Sequence, residues 1–173
     1  MLIKKEHDLK LQNVIEKLYS EYRENVFHLC LIYLKDVGRA EDAMQDTFLK
    51  ALRHYSSFRH ECSDKTWLLR IAANTCRDYH RTAWLRSAKR ECSLSYLLEK
   101  ASASLQENQM AVLIEVERLP VRFREVIMLR YYQQLSIEEI AQVLQLSQSG
   151  VQARLRKARG LLREPLTEVY FCE

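Results

Sequence analysis

The stretch that decides the fold runs from Ser136 to Arg163, SIEEIAQVLQLSQSGVQARLRKARGLLR. Ser136 followed three residues later by Glu139 is a capping box, in which each side chain satisfies a backbone N–H that a helix start leaves exposed. A helix therefore begins at Ile137, with Ile140, Ala141 and Leu144 on one apolar face. A short turn at Gln145 and Leu146 leads to Ser147, a second N-cap residue. In the helix after it, Val151, Leu155, Ala158 and Leu162 recur at spacings of four, three and four. Gln152, Arg156, Arg159 and Arg163 form a second line on the same helix. From Gln152 to Arg163 five residues are basic (Arg154, Arg156, Lys157, Arg159 and Arg163) and none is acidic. A merely solvated helix usually interleaves the two signs for neighbour pairing. Two short helices joined by a tight turn, the second basic and opened by small polar residues, describe a helix-turn-helix that reads DNA. Residues near its start reach base edges, and the later arginines hold phosphates.

Upstream of this motif the pattern stays helical. Met110 to Leu119 reads as a helix stopped by Pro120, whose ring restricts the residue before it and removes a backbone donor. Val121 to Gln133 reads as another, with Phe123, Val126, Ile127 and Tyr131 near one face. Further back, residues 86–108 are rich in serine, alanine and charge and read as a linker. The first part of the chain carries helical apolar spacing from Leu9 to Leu34, a break at Asp36 to Gly38, and a helix from Arg39 to His54 with Ala40, Ala43, Met44, Phe48, Ala51 and Leu52 inward. Tyr55 to Lys65 lacks periodicity and reads as a loop, and Thr66 to Ala83 is a third helix that buries Trp67, Leu68, Ile71, Ala72, Thr75 and Tyr79. Three glycines and two prolines in 173 residues leave too little turn punctuation for an all-β fold. The expected fold is all-α: two small helical domains, 9–85 and 109–166, joined by the linker, the second a helix-turn-helix.

Charge is distributed unevenly along the first domain, although the whole chain carries only +4. Glu41, Asp42 and Asp46 accompany Gln45 on the second helix, a face that repels DNA and suits a protein partner. From Arg53 to Arg90 there are nine basic residues against three acidic ones, with Tyr55, Phe58, Trp67, Tyr79 and Trp84 among them. Arg70, Asn74, Arg77 and Arg81 fall on one stripe of the third helix. Cationic stripes with interleaved aromatics are what unstacked single strands require.

Several classes are excluded or disfavoured. The five cysteines (Cys30, Cys62, Cys76, Cys92 and Cys172) contain no C-x-x-C pair and are odd in number, against both a disulfide framework and a thiolate zinc site. Cys76 with His80, and His60 with Cys62, are the only spacings that invite a metal; neither completes a site, and no cofactor is expected. No Gly-rich phosphate loop, nucleophile elbow or H-E-x-x-H stretch is present, so an enzyme is not expected. The amino terminus has no signal-peptide core and no run reaches membrane-spanning length, so the expectation is a cytoplasmic chain, monomeric when free, with no membrane insertion.

AEDAMQDTFLKAL (Ala40 to Leu52), TWLLRIAANTCRDYHR (Thr66 to Arg81) and the segment from Leu119 to Arg163 together resemble the extracytoplasmic-function sigma factors of RNA polymerase. The resemblance implies promoter-specific transcription initiation with core RNA polymerase and promoter DNA as partners, and an anti-sigma factor as regulator. It implies that Asp42, Gln45, Asp46, Phe48 and Leu49 dock on polymerase. Ser56, Phe58, Arg59, Trp67, Arg70, Asn74, Arg77 and Arg81 would handle the melted minus-ten element, with Asn74 matching the family's base-capturing asparagine. Ser147, Gln148, Ser149, Gln152, Arg154, Arg156 and Arg159 would read the minus-thirty-five duplex. The family pattern commonly has glycine where Gln134 and Gln145 stand here, so turns of positive φ would be strained or reshaped. Gln152 replaces the usual basic residue, which shifts base preference towards adenine. The competing reading is a free-standing helix-turn-helix regulator that binds operators as a dimer; it leaves the acidic helix and the basic aromatic tract unexplained.

Overall fold

The computed structural model describes residues 2–83 and 107–171, and every element among them is helical. The first domain is built of α1 (Leu2–Leu34), α2 (Val37–His54) and α3 (Asp64–Ala83), with a 3₁₀ turn at Tyr55–Ser57 after α2. The second comprises α4 (Glu107–Arg118), α5 (Val121–Ile127), α6 (Ile137–Leu144) and α7 (Gln148–Phe171). The expected linker lies outside the described residues except for its last two, which already belong to α4; Trp84, Cys92 and Cys172 are outside as well.

Local chemistry sets each boundary. Between α1 and α2, Lys35 takes a left-handed φ of 52° and Asp36 caps α2 by accepting the Arg39 N–H at 2.9 Å. The third helix starts two residues earlier than its apolar pattern indicates, because Ser63 acts as its cap: the Ser63 hydroxyl accepts the Thr66 N–H at 3.1 Å. Cap chemistry, not periodicity, fixes a helix start. Buried hydroxyls are satisfied in place, as where Thr47 donates to the Ala43 carbonyl at 2.7 Å.

After α5 the helix widens into a π-helical turn at Met128–Tyr132. The expected continuous α-helix to Gln133 is thus replaced, and Tyr131 is 57% exposed, not on the buried face. The wider turn keeps Met128 and Leu129 in the core and swings the two tyrosines outward.

The capping box is present: Ser136 accepts the Glu139 N–H at 3.1 Å and the Glu139 carboxylate accepts the Ser136 N–H at 2.9 Å. Gln145 then ends α6 in the left-handed conformation (φ 57°, ψ 48°), and Gln134 has φ 58°. Both turns therefore keep the shape that glycine favours while carrying glutamine. A residue with a Cβ in that region costs about 1–2 kcal/mol.

The two domains pack on each other, α3 against α6 and α1 against α5. The bonds across the seam are polar. Asn25 Nδ2 donates to Gln133 Oε1 at 2.6 Å while Gln133 Nε2 donates back to the Asn25 carbonyl at 3.1 Å. Lys65 donates to the Gln133 carbonyl at 2.8 Å, Thr66 to Glu139 at 3.1 Å, and the Tyr132 hydroxyl meets His28 Nδ1 at 2.9 Å.

Candidate nucleic-acid and polymerase interfaces

Three surfaces emerge, and they use the expected residues unequally. On α2, Asp42, Gln45 and Leu49 face solvent, Leu49 with 51% of its surface exposed. Asp46 is half-buried and accepts the Tyr79 hydroxyl at 2.8 Å; burial first, and then this bond, push the Tyr79 phenol well above its ordinary range. Phe48 points the other way. It is buried, its ring meeting that of Tyr19 edge-on at 4.9 Å, so it belongs to the core beneath the exposed α2 face and not to that face. The α2 spacing explains the split: Phe48 shares a face with Ala40, Ala43, Thr47 and Ala51, whereas Leu49 follows Asp42 and Gln45.

The second surface is the turn after α2 together with α3. Phe58 stacks on Trp67 with ring planes 16° apart and centroids at 4.5 Å, and Tyr55 and His60 complete the aromatic group. Trp67 is only 5% exposed and forms the floor. A cleft of about 470 Å³ opens over this group, lined by Ser57, Phe58, Arg59, Trp67, Arg70 and, from the second domain, Gln142. Ser56 is exposed beside it. Asn74 lies one turn along α3 from Arg70 and accepts the Arg77 guanidinium at 2.8 Å. Arg77 also reaches the Leu144 carbonyl at 3.4 Å, and Arg81 is exposed and paired with Asp78 at 3.3 Å. The stripe therefore divides: Arg70 faces the aromatic cleft, Arg77 faces the other domain, and Arg81 faces water.

The third surface is the start of α7. Ser147 caps it by accepting the Gly150 N–H at 3.1 Å, leaving Gln148, Ser149, Gln152, Arg156 and Arg159 exposed. Val151, Leu155, Ala158 and Leu162 are buried as their spacing requires. Arg154 is different: its Nη1 donates to Glu125 at 2.6 Å, and that carboxylate is nearly sealed from water.

Glu125, Tyr33 and Gln142 carried no role in the sequence reading. A readable signal existed for one of them: Glu125 is the sole acid among the apolar and basic residues of VRFREVIMLR (Val121 to Arg130), and an acid so placed has a buried partner to meet. Cys76 and His80 turn to different partners. Cys76 is a free, buried thiol neighbouring the equally buried Cys30, and His80 Nε2 meets the Tyr33 carbonyl at 2.6 Å. Among the described residues no three histidine, cysteine, aspartate or glutamate side chains converge on a metal-sized site. No described helix is long and apolar enough to cross a membrane.

Comparison with known proteins matches both parts of the chain to one family. Residues 18–86 match sigma-70 region 2 and residues 109–162 match sigma-70 region 4. The RNA polymerase sigma factor YlaC of Bacillus subtilis is 30% identical over 92% of this chain and 96% of its own length. The ECF RNA polymerase sigma factor SigX of the same organism is 28% identical, covering 91% of this chain and 90% of its own. Among solved structures, CnrH in complex with the cytosolic domain of CnrY superposes with a TM-score of 0.67 at 26% identity, over 90% of this chain and 88% of that one. The match to region 2 alongside region 4 goes against a lone operator-binding regulator. The matches to both regions, together with curated relatives that align with more than nine-tenths of its length, place the chain in the sigma-70 family as an RNA polymerase sigma factor of the extracytoplasmic-function type.

Proposed function

We propose that this sigma factor divides its work among the three surfaces, with no chemistry of its own. The exposed α2 face, Asp42, Gln45 and Leu49, docks on core RNA polymerase, with Asp46 and Phe48 acting beneath it as supports. The aromatic cleft, with Phe58, Arg59 and Arg70, receives unstacked minus-ten bases over the Trp67 floor, while Ser56, Asn74, Arg77 and Arg81 hold the strand alongside. The head of α7, through Ser147, Gln148, Ser149 and Gln152, reads the minus-thirty-five duplex, and Arg154, Arg156 and Arg159 add phosphate contacts. The chain works in the cytoplasm. An anti-sigma protein is its natural antagonist, a reading supported by the likeness to CnrH, which was solved with the cytosolic domain of CnrY.

The observation that carries this reading is the Phe58–Trp67 stack beside Arg70 at the wall of an open cleft. Base–aromatic stacking is worth about 1–3 kcal/mol per base and tolerates any base. Duplex offers such a cleft nothing, since its bases are already stacked. The test is core-polymerase binding by the Asp42→Ala, Gln45→Ala, Leu49→Ala triple variant. All three side chains are exposed, so helical content should be unchanged while affinity for core enzyme falls at least tenfold. Wild-type affinity in that variant would refute the docking assignment.

A further inference from the structure

We propose that a second cavity, between α3, α5 and α7, is a binding site for a small phosphate-bearing ligand of nucleotide size. Its volume is about 490 Å³, inside the roughly 300–1,000 Å³ range of ligand pockets, and it shares no lining residue with the aromatic cleft. Three guanidiniums line it, Arg77 from α3, Arg122 from α5 and Arg154 from α7, against the single carboxylate of Glu125. That carboxylate is already satisfied: one oxygen accepts Arg154 at 2.6 Å and the other accepts the Tyr33 hydroxyl. Arg77 and Arg122 are not neutralised in the same way. Arg77 donates to the neutral oxygens of Asn74 at 2.8 Å and Leu144 at 3.4 Å. Arg122 is exposed, its guanidinium 4.7 Å from the centre of the Phe123 ring. Among the described residues neither arginine forms an ion pair, so the wall keeps two uncancelled positive charges.

A cleft lined by one sign of charge between low-dielectric walls concentrates ions of the other sign. Guanidiniums reaching in from three helices suit the several oxygens of a phosphate or diphosphate group, whereas one guanidinium fork satisfies a planar carboxylate. Val121 and Leu144 supply an apolar wall against which the uncharged part of a nucleotide can lie. Arg122 also stands in the first turn of α5, where a cation opposes the helix dipole. Helix stability therefore does not account for its placement, and an anion in the cavity does. A DNA backbone offers the same phosphate chemistry, and Arg77 and Arg154 are shared with the promoter-facing surfaces. Arg122 is not, so it separates the two sources.

Calorimetric titration of the full-length chain with adenosine 5′-diphosphate tests the site. One diphosphate per chain should bind saturably, inorganic pyrophosphate should displace it, and adenosine, which lacks phosphate, should not bind. Arg122→Ala should weaken this binding about 5- to 10-fold, the loss of one charge-assisted contact at a partly exposed position. Arg122→Lys, which keeps the charge without the fork, should lose less. Because Arg122 is exposed, both variants should keep the helical content and melting temperature of the parent. Affinity of Arg122→Ala for a random-sequence DNA duplex should equal that of the parent. The site is overturned if neither the nucleotide nor pyrophosphate binds saturably, if adenosine binds as tightly as its diphosphate, or if Arg122→Ala binds the diphosphate like the parent. A loss of duplex affinity as large as the loss for the diphosphate would overturn it too, since the cavity would then be an edge of the DNA surface.

Discussion

At the scale of single residues, neighbours in sequence do opposite jobs. Phe48 and Leu49 are adjacent, yet one is buried against Tyr19 and the other is half exposed. Phe48→Ala should cost about 3–5 kcal/mol of stability, the range for emptying a buried aromatic site, and should lower the urea midpoint accordingly. Leu49→Ala should move stability by less than about 0.5 kcal/mol and act only on polymerase binding. Gln134 and Gln145 make a second residue-scale case, each holding a left-handed φ without being glycine. Gln145→Gly relieves that strain but loosens the unfolded chain, so the net gain should be about 0.5–1 kcal/mol in chemical denaturation. The departures from glycine were visible in the sequence. That the turn keeps its shape was not, because a strain of this size is set by what the surrounding packing enforces.

At the scale of elements, helix existence was legible and helix ends depended on the caps. The Ser136–Glu139 box announced α6, and its bonds are present. Ser63 performs the same service for α3, but its partner position is Thr66, so the sequence lacks the glutamate that marks a full box and apolar spacing alone points to a start two residues later. The π-helical turn at Met128–Tyr132 had no signature, since widening a turn changes no residue type. Ser136→Ala should cost about 1 kcal/mol. Glu139 gives this element a pH dependence. The Ser136 N–H above all, with help from the Ser136 and Thr66 hydroxyls and Lys65, holds its carboxyl below the ordinary glutamate range. A folded pKa below the unfolded one contributes stability above the unfolded value, and that contribution disappears as pH falls through the folded value. Urea midpoints should therefore decline from about pH 5 downwards, and Glu139→Gln should flatten this component of the decline. An identical acid slope in that variant would contradict the assignment.

At the scale of the whole molecule, the sequence displayed two cationic surfaces and one acidic one, all on separate segments. It could not display how the segments face each other. Long-range placement is carried here by pairs such as Tyr33 with Glu125 and Asn25 with Gln133, far apart in the chain and unremarkable in composition. That placement changes what individual arginines mean. Arg154 and Arg77 read from the sequence as free DNA contacts, and in the folded chain both are engaged within the protein. Arg156, Arg159 and Arg81 remain exposed, so the cationic stripes are not turned wholly inward. The most direct measurement is start-site mapping of RNA made on genomic fragments by core polymerase with and without the purified chain. Discrete 5′ ends that require the chain, each preceded by paired upstream elements at a fixed separation, are the expected result. Transcription unaltered by the chain, with binding confined to palindromic duplex sites, would contradict it.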